Sequence, residues 1–393
     1  MLENRKILLA VSGGIAAYKA IELCSMLKKS GAEVKVLCTE NASQFINPLS
    51  FEVISQNKVY SSMWGNDIAI PHIELADWAN IIVIAPATAN VIAKIAQGIG
   101  DDLLSSTMLA AHTPVVVVPA MNINMYNNPA TQANIAILRE RGYFFMEPEE
   151  GMLACGYKGK GRYPVNQEIL YHIMIYLKHA LAWKGKKVLI TAGASREDID
   201  PMRFITNHST GKMGIALARA AHIMGAEVTL IAAHVTEYIP EYIKTIRAYT
   251  AYEMLAECKK EFPGTELLIM NAAVSDYTPA EYQSEKIKKK DDLSLELVRT
   301  QDVLANLSRI KQPSQLICGF AAESENIIEN GKAKLQAKNL DYIVANDLGV
   351  AGSNITSCTF IKNEDEFALI GDKFPVAVQI LDFISPDIIQ DEK

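Results

Sequence analysis

The sequence predicts an α/β protein with two doubly wound, mainly parallel-sheet domains. Three observations lead there. Short apolar runs alternate with helical patterns through the first half, the same alternation restarts after residue 185, and each run is followed by a polar or glycine-containing loop. KILLAV (6–11) reads as a buried strand and Gly13-Gly14 as a tight turn. Ala20, Leu23, Cys24 and Leu27 then recur at helical spacing, ending at Gly31. EVKVLC, IIVIAP and PVVVVP are further strands, separated by helical segments around 41–54, 88–97, 101–111 and 130–141.

The restart begins at KKVLIT (186–191), followed by a polar glycine-containing loop and a helix from about Lys212 to Met224. AEVTLIA, TELLIMNAAV, QLICGF and DYIVAN are the later strands, and TSCTFI and EFALIG flank Lys362 to Asp365 as a hairpin added to the sheet. The boundary falls near 180–186, giving domains of 1–182 and 183–393. The two halves share an architecture without a detectable sequence repeat.

Composition narrows the function classes. The 393 residues are 49% hydrophobic and 21% charged, with a formal net charge of -7, which argues against a general nucleic-acid or membrane-surface binder. The six cysteines form no CxxC pair and no zinc-like spacing, so free thiols in a reducing compartment are expected. Glycines interrupt the apolar N-terminus, and no run reaches the ~18 residues that span a bilayer. A cytoplasmic protein is the expectation.

In doubly wound sheets ligands bind at the carboxyl ends of strands, so the loops there carry the argument. VSGGIAAYK lacks the G-x-G-x-x-G spacing of a dinucleotide site, leaving either a single phosphate site or a simple turn at Gly13-Gly14. Thr39 and Thr88 suit helix N-caps, and Asn122, in PAMNINMY, suits a turn. His72, in IPHIELADWA, reads by itself as a packed or surface residue more readily than as a catalyst, and Cys155 sits in GMLACGYKGKGRYP, where basic neighbours could lower a thiol pKa.

Together the glycine loop, the PHIELA histidine, the PAMNxxM segment and the LACG…GxGR loop resemble the flavin-dependent cysteine decarboxylases, specifically phosphopantothenoylcysteine decarboxylase, over about residues 5–165. The resemblance implies a flavodoxin-like or Rossmann-like domain with FMN held by Gly13, Gly14, Thr39, Pro86, Ala87, Thr88 and Asn90. It implies oxidation of the cysteinyl thiol towards a thioaldehyde, loss of CO2, and protonation and reduction of the resulting enethiol. His72 would serve the oxidation and decarboxylation half, Asn122 would hold the substrate carboxylate, and Cys155 would donate the returning proton. Tyr126 stands where the family usually has Trp, and Tyr157 where it is usually acidic.

ASREDIDPMRFITNHSTGKMG (194–214) is the most specific segment. STGKMG fails the P-loop pattern because Met213 follows Lys212. Instead, Arg203, Asn207, Ser209 and Thr210 sit beside a helix N-terminus, a composition suited to phosphate or carboxylate. NAAVSDY exposes Asp276 after a strand, and EKIKKKDD reads on composition as a solvated loop. Lys334 and Lys338, spaced i,i+4, either face one phosphate or form a solvated helical face.

TAG, IDPxRFITNxSxGKMG, AAVxDY, KIKK, GFAAE and VAND, in this order, resemble phosphopantothenate–cysteine ligase over about residues 185–390. The resemblance implies a Rossmann-like ligase domain that activates the 4′-phosphopantothenate carboxylate with CTP and Mg2+ (or Mn2+), releases pyrophosphate, and admits cysteine's amine. Asn207 would hold the acyl-nucleotide carbonyl, Arg203 would order the substrate, and Lys286 would stabilise charge on the transferring phosphate. Asn271, Ala272, Asp276 and Asp302 would contact CTP, as would Val303, Phe320, Lys334 and Lys338. Metal ligands are not identifiable. The same resemblance implies a homo-oligomer of trimeric flavin and dimeric ligase domains, closing into a dodecamer. A monofunctional ligase with an inactive flavin domain and a non-catalytic flavin-binding regulatory subunit are the competing readings.

Overall fold

The computed structural model describes residues 2–64, 69–152, 158–179, 182–288, 293–323, 325–347, 355–363 and 365–389. Cys155 and Tyr157 lie outside the described residues. The chain divides into two compact units, Met1–Lys178 and His179–Lys393.

The first unit runs β1 (Lys6–Val11), α1 (Ala17–Lys29), β2 (Glu33–Cys38), α2 (Glu40–Ser43), α3 (Pro48–Ser55), β3 (Val59–Tyr60), α4 (Pro71–Trp78), β4 (Ile81–Ala87) and α5 (Ala89–Gln97). It continues with α6 (Leu103–Ala110), β5 (Val115–Pro119), α7 (Ile123–Tyr126), α8 (Pro129–Glu140), β6 (Phe144–Phe145), β7 (Glu149–Met152), β8 (Lys158–Arg162) and α9 (Asn166–His179). The main sheet is parallel with order β3-β2-β1-β4-β5-β6, the Rossmann order rather than the flavodoxin one. Along β1, Ile7, Leu9 and Val11 enter one core and Leu8 and Ala10 the other, which is why the strand is apolar without alternation. The helix expected over 41–54 is two helices. Asn47 accepts from Leu49 N (3.0 Å) and Pro48 takes the first position of α3, so the chain restarts there.

The second unit runs β9 (Lys187–Ala192), β10 (Arg196–Asp200), β11 (Arg203–Thr206), α10 (Lys212–Ile223), β12 (Glu227–Ala232), β13 (Lys244–Arg247), α11 (Ala251–Glu261), β14 (Leu267–Met270), β15 (Tyr277–Pro279) and β16 (Leu297–Arg299). Then come α12 (Val303–Arg309), β17 (Leu316–Glu323), α13 (Ile327–Ala337), β18 (Tyr342–Asp347), β19 (Ile355–Lys362), β20 (Asp365–Asp372) and α14 (Lys373–Ile388). Its sheet order is β13-β12-β9-β14-β17-β18-β19-β20, parallel as far as β18, with β19–β20 as the added antiparallel hairpin. One face packs on α11, α12 and α13 through Met254, Leu307 and Leu335; α10 and α14 pack together and on the sheet. The stretch read as a polar loop after β9 contains the antiparallel hairpin β10–β11. No helix among the described residues is long and apolar enough to cross a membrane. The five described cysteines are free and buried, and burial pushes the Cys24 thiol up to about 11 and Cys38 and Cys258 to about 12.

Gly193 ends β9 at φ 89°, where a Cβ would lie 2.3 Å from His234 O. That carbonyl accepts from Ala194 N (3.0 Å) and cannot retreat without losing the bond. Gly193→Ala is expected to cost about 1–3 kcal/mol, lowering the melting temperature by about 2–4 °C per kcal/mol. Unchanged thermal unfolding would refute this.

Candidate functional site

In the first unit the sheet order reverses between β1 and β4, and the candidate residues gather at their carboxyl ends. Ser12, fully buried, ties the two strands: its Oγ donates to Pro86 O (2.8 Å) and accepts from Thr88 N (3.0 Å). Thr39 caps α2 by accepting from Ala42 N (3.2 Å), and Thr88 caps α5 by accepting from Val91 N (3.4 Å). Each hydroxyl keeps a proton to donate outward. Gly13 has no room for a side chain, because a Cβ would come within 2.5 Å of Asn41 Cβ, whereas at Gly14 a Cβ would meet only Thr88 Cγ2, at 3.7 Å. The α1 N-terminus has no side-chain cap and no acidic residue in its first turn, so its amides and dipole can receive an anion.

Asn122 follows β5 and caps α7, accepting from Asn124 N (2.8 Å). The next strand pair is fastened to the same loop through Met121 N donating to Gly161 O (3.0 Å). Glu147 accepts from Arg139 (2.6 Å) and Lys160 (2.9 Å) and from Tyr126 Oη (3.4 Å). Burial and the Glu147 carboxylate push the Tyr126 phenol up to about 12. His72 sits in the first turn of α4 with its Nδ1 buried and without a hydrogen-bond partner among the described residues. Asn90 is exposed at the start of α5.

In the second unit the reversal lies between β9 and β14, and a cavity of about 720 Å3 opens there. Thr191, fully buried, repeats the task of Ser12: its Oγ1 accepts from Asn271 N (3.1 Å) and Ala272 N (3.0 Å). Ser195 Oγ accepts from Ser275 N (2.9 Å), fixing the loop after β14. Asn207 donates from Nδ2 to Val274 O (3.1 Å) and so faces that loop. Asn271, Ala272, Asp276, Asp302, Val303, Phe320, Lys334 and Lys338 all line the cavity, as does Asn207. Asp302 caps α12 through Ala305 N (2.9 Å) and pairs with Lys338 (2.8 Å). Burial pushes its carboxyl up, but the Lys338 hydrogen bond and the helix amides outweigh that and hold it below the usual range.

Arg203 and Lys286 are not brought to the cavity; both are exposed. Arg203 pairs with the buried carboxylate of Asp200 (2.7 Å), which also accepts from Ile287 N (3.1 Å), so Arg203 and the residue after Lys286 share one anchor. Among the described residues no three His, Cys, Asp or Glu side chains gather as a metal site.

The family model described as Flavoprotein matches residues 1–177, and that described as DNA/pantothenate metabolism flavoprotein C-terminal domain matches residues 183–386. The coenzyme A biosynthesis bifunctional protein CoaBC of Bacillus subtilis (strain 168) is 45% identical over 400 residues, covering 98% of each chain. This chain belongs to the bifunctional CoaBC family. The family member from Escherichia coli (strain K12) is 41% identical over 353 residues, 88% of this chain and 87% of its own. Among solved structures, the C-terminal domain of a CoaBC is 36% identical and covers 53% of this chain and 99% of that one, with TM-score 0.47. A PPC decarboxylase mutant complexed with pantothenoylaminoethenethiol is 33% identical, covering 45% and 100%, with TM-score 0.42.

Three polar residues of these sites escaped the sequence reading. Ser12 and Thr191 look like ordinary strand-end hydroxyls, and only their position at a reversal of strand order could have flagged them. Lys373 also lines the cavity, yet it reads as a solvated lysine opening the last helix. Thr191→Val would strand two amides and is expected to cost about 1–3 kcal/mol for each, read as a lower denaturation midpoint. A Val variant as stable as the parent would rule out the clasp.

Proposed function

We propose that this chain catalyses two steps of coenzyme A biosynthesis. The second unit ligates cysteine to 4′-phosphopantothenate, and the first decarboxylates the product to 4′-phosphopantetheine. The 45% identity to a bifunctional CoaBC over 98% of both chains carries this reading. The domains are taken as 1–182 and 183–393 in a cytoplasmic homo-oligomer with trimeric flavin and dimeric ligase contacts. Exposed Leu297 and Val298 on β16 support an interface in the ligase unit.

FMN fits the β1–β4 crevice: the uncapped α1 N-terminus and Gly14 suit its phosphate, while Thr39, Thr88 and Asn90 offer donors and Pro86 and Ala87 an apolar wall. When bound, the flavin accepts and returns the electrons of the cysteinyl thiol. The remaining work falls to side chains. Asn122 holds the substrate carboxylate, and its own tie to Asn124 N fixes its rotamer. His72 moves a proton through a ring whose buried Nδ1 has no partner among the described residues. Cys155 returns the last proton to the product carbon.

In the ligase cavity CTP enters with magnesium as a substrate complex. The substrate carboxylate attacks the α-phosphorus, pyrophosphate leaves, and cysteine's amine then displaces CMP from the acyl-cytidylate. Asn207 orients the acyl carbonyl, Arg203 the substrate chain, and Lys286 neutralises the transferring phosphate. Asn271, Ala272, Asp276, Asp302, Val303, Phe320, Lys334 and Lys338 form the nucleotide seat.

Mass spectrometry after incubation with 4′-phosphopantothenate, cysteine, magnesium and either CTP or ATP tests the whole reading. 4′-Phosphopantetheine is expected with CTP; accumulation of the cysteine adduct would leave a ligase alone, and neither product would defeat the proposal. Cys155→Ser should cut 4′-phosphopantetheine formation by about 100-fold while the first turnover still releases CO2, about one equivalent per flavin. Equal loss of both would remove Cys155 from the final protonation.

A further inference from the structure

Lys373 breaks two electrostatic rules. It occupies the first position of α14, where the helix dipole disfavours a cation; the N-cap Asp372 makes no side-chain cap hydrogen bond, and the first turn holds no acidic residue. It is only partly exposed, lines the ligase cavity, and forms no ion pair with a described residue. Its neighbour across the packed helices is Lys212, the first residue of α10, whose N-terminus also has no side-chain cap. Burial lowers the Lys373 pKa first, the Lys212 charge lowers it further, and Glu237 opposes both. Glu237 is itself engaged with Lys212 at 3.3 Å and is 42% exposed at its side chain. Two lysines and two helix N-termini therefore face one wall of the cavity with one partly solvated carboxylate between them.

Elsewhere in the cavity lining Lys338 is paired with Asp302, one turn from Lys334. The nucleotide's β- and γ-phosphates carry more charge than the phosphate of the acyl substrate, and the wall that adds two helix N-termini to its lysines suits them. We propose that Lys373 binds pyrophosphate in the ligase reaction, holding with Lys212 the β- and γ-phosphates of the nucleoside triphosphate and neutralising them as they leave. This rests on the ligase reading above. A carboxylate oxygen bonds to the α-phosphorus, the bridging oxygen bond from α-phosphorus to the β-phosphate breaks, and its electron pair departs with pyrophosphate. The two ammonium groups keep their protons and meet the charge as it forms, so the leaving group departs without drawing a proton from water.

The test uses the full-length protein with Lys373→Gln and Lys373→Arg, after a thermal scan establishes folding. Calorimetric titration with inorganic pyrophosphate reads the seat directly, and steady-state kinetics reads the KM of each substrate. Lys373→Gln should weaken pyrophosphate binding and raise the CTP KM by about tenfold or more, leaving the 4′-phosphopantothenate KM unchanged, with Arg restoring most of the binding. Unchanged pyrophosphate affinity, or a defect confined to 4′-phosphopantothenate, would overturn the assignment. Absence of ligation by the parent protein would instead defeat the functional reading, and the pyrophosphate titration would still decide Lys373. If Lys373→Gln does not fold, Lys373→Arg decides: pyrophosphate affinity near the parent's supports the seat, and its loss despite a retained cation refutes it.

Discussion

A buried hydroxyl at each reversal of strand order is the contact on which both sites depend. Where a doubly wound sheet reverses, the two central strands send their chains in opposite directions, and the ladder between them cannot continue past their ends. The amides just beyond would be left without partners in a dry crevice, at a cost of about 1–3 kcal/mol each. Ser12 meets this by bridging Pro86 O and Thr88 N, and Thr191 by receiving Asn271 N and Ala272 N. The same bonds hold the strand ends together and aim the following loops at a ligand.

The strands were legible because both faces of each sheet are covered. Ile82 and Val83 enter opposite cores from adjacent positions, so the run is apolar throughout and needs no period. Helix starts were legible where Thr39 or Thr88 supplied a cap. The β10–β11 hairpin was not, because Arg196, Glu197, Asp198 and Asp200 carry charge through a strand whose stability comes from specific ties. Buried Glu197 accepts from Ala251 N (2.9 Å) and buried Asp200 accepts from Met202 N (2.7 Å). A charged pattern of that kind is indistinguishable from a loop until its partners are known.

Site residues were legible in proportion to their nearness to a strand end. Asn271, Ala272 and Phe320 lie at or just past the carboxyl end of a strand or its paired region, and the fold alone brings them to the cavity. Asn207 reaches it from a loop, by bonding to the chain after β14. Arg203 and Lys286 were named from motif, and the buried Asp200 ties their segments to one another.

The same architecture serves two chemistries because the first helix after the reversal is charged differently. In the first unit α1 opens on Ala17 and Tyr18 beside Gly14, and Lys19, the cation of its first turn, donates to Tyr163 O (3.3 Å), so the helix amides are the principal attraction for an anion. That suits one phosphate of a cofactor that stays bound. In the second unit α10 opens on Lys212, and α14, packed along it, adds Lys373 at the cost of an unfavourable helix-dipole contact. A cofactor phosphate needs only a ground-state seat, but a leaving pyrophosphate gains charge during the reaction. Fixed cations, destabilised until that charge arrives, favour the departing state over the bound substrate, and this differential is what accelerates the step.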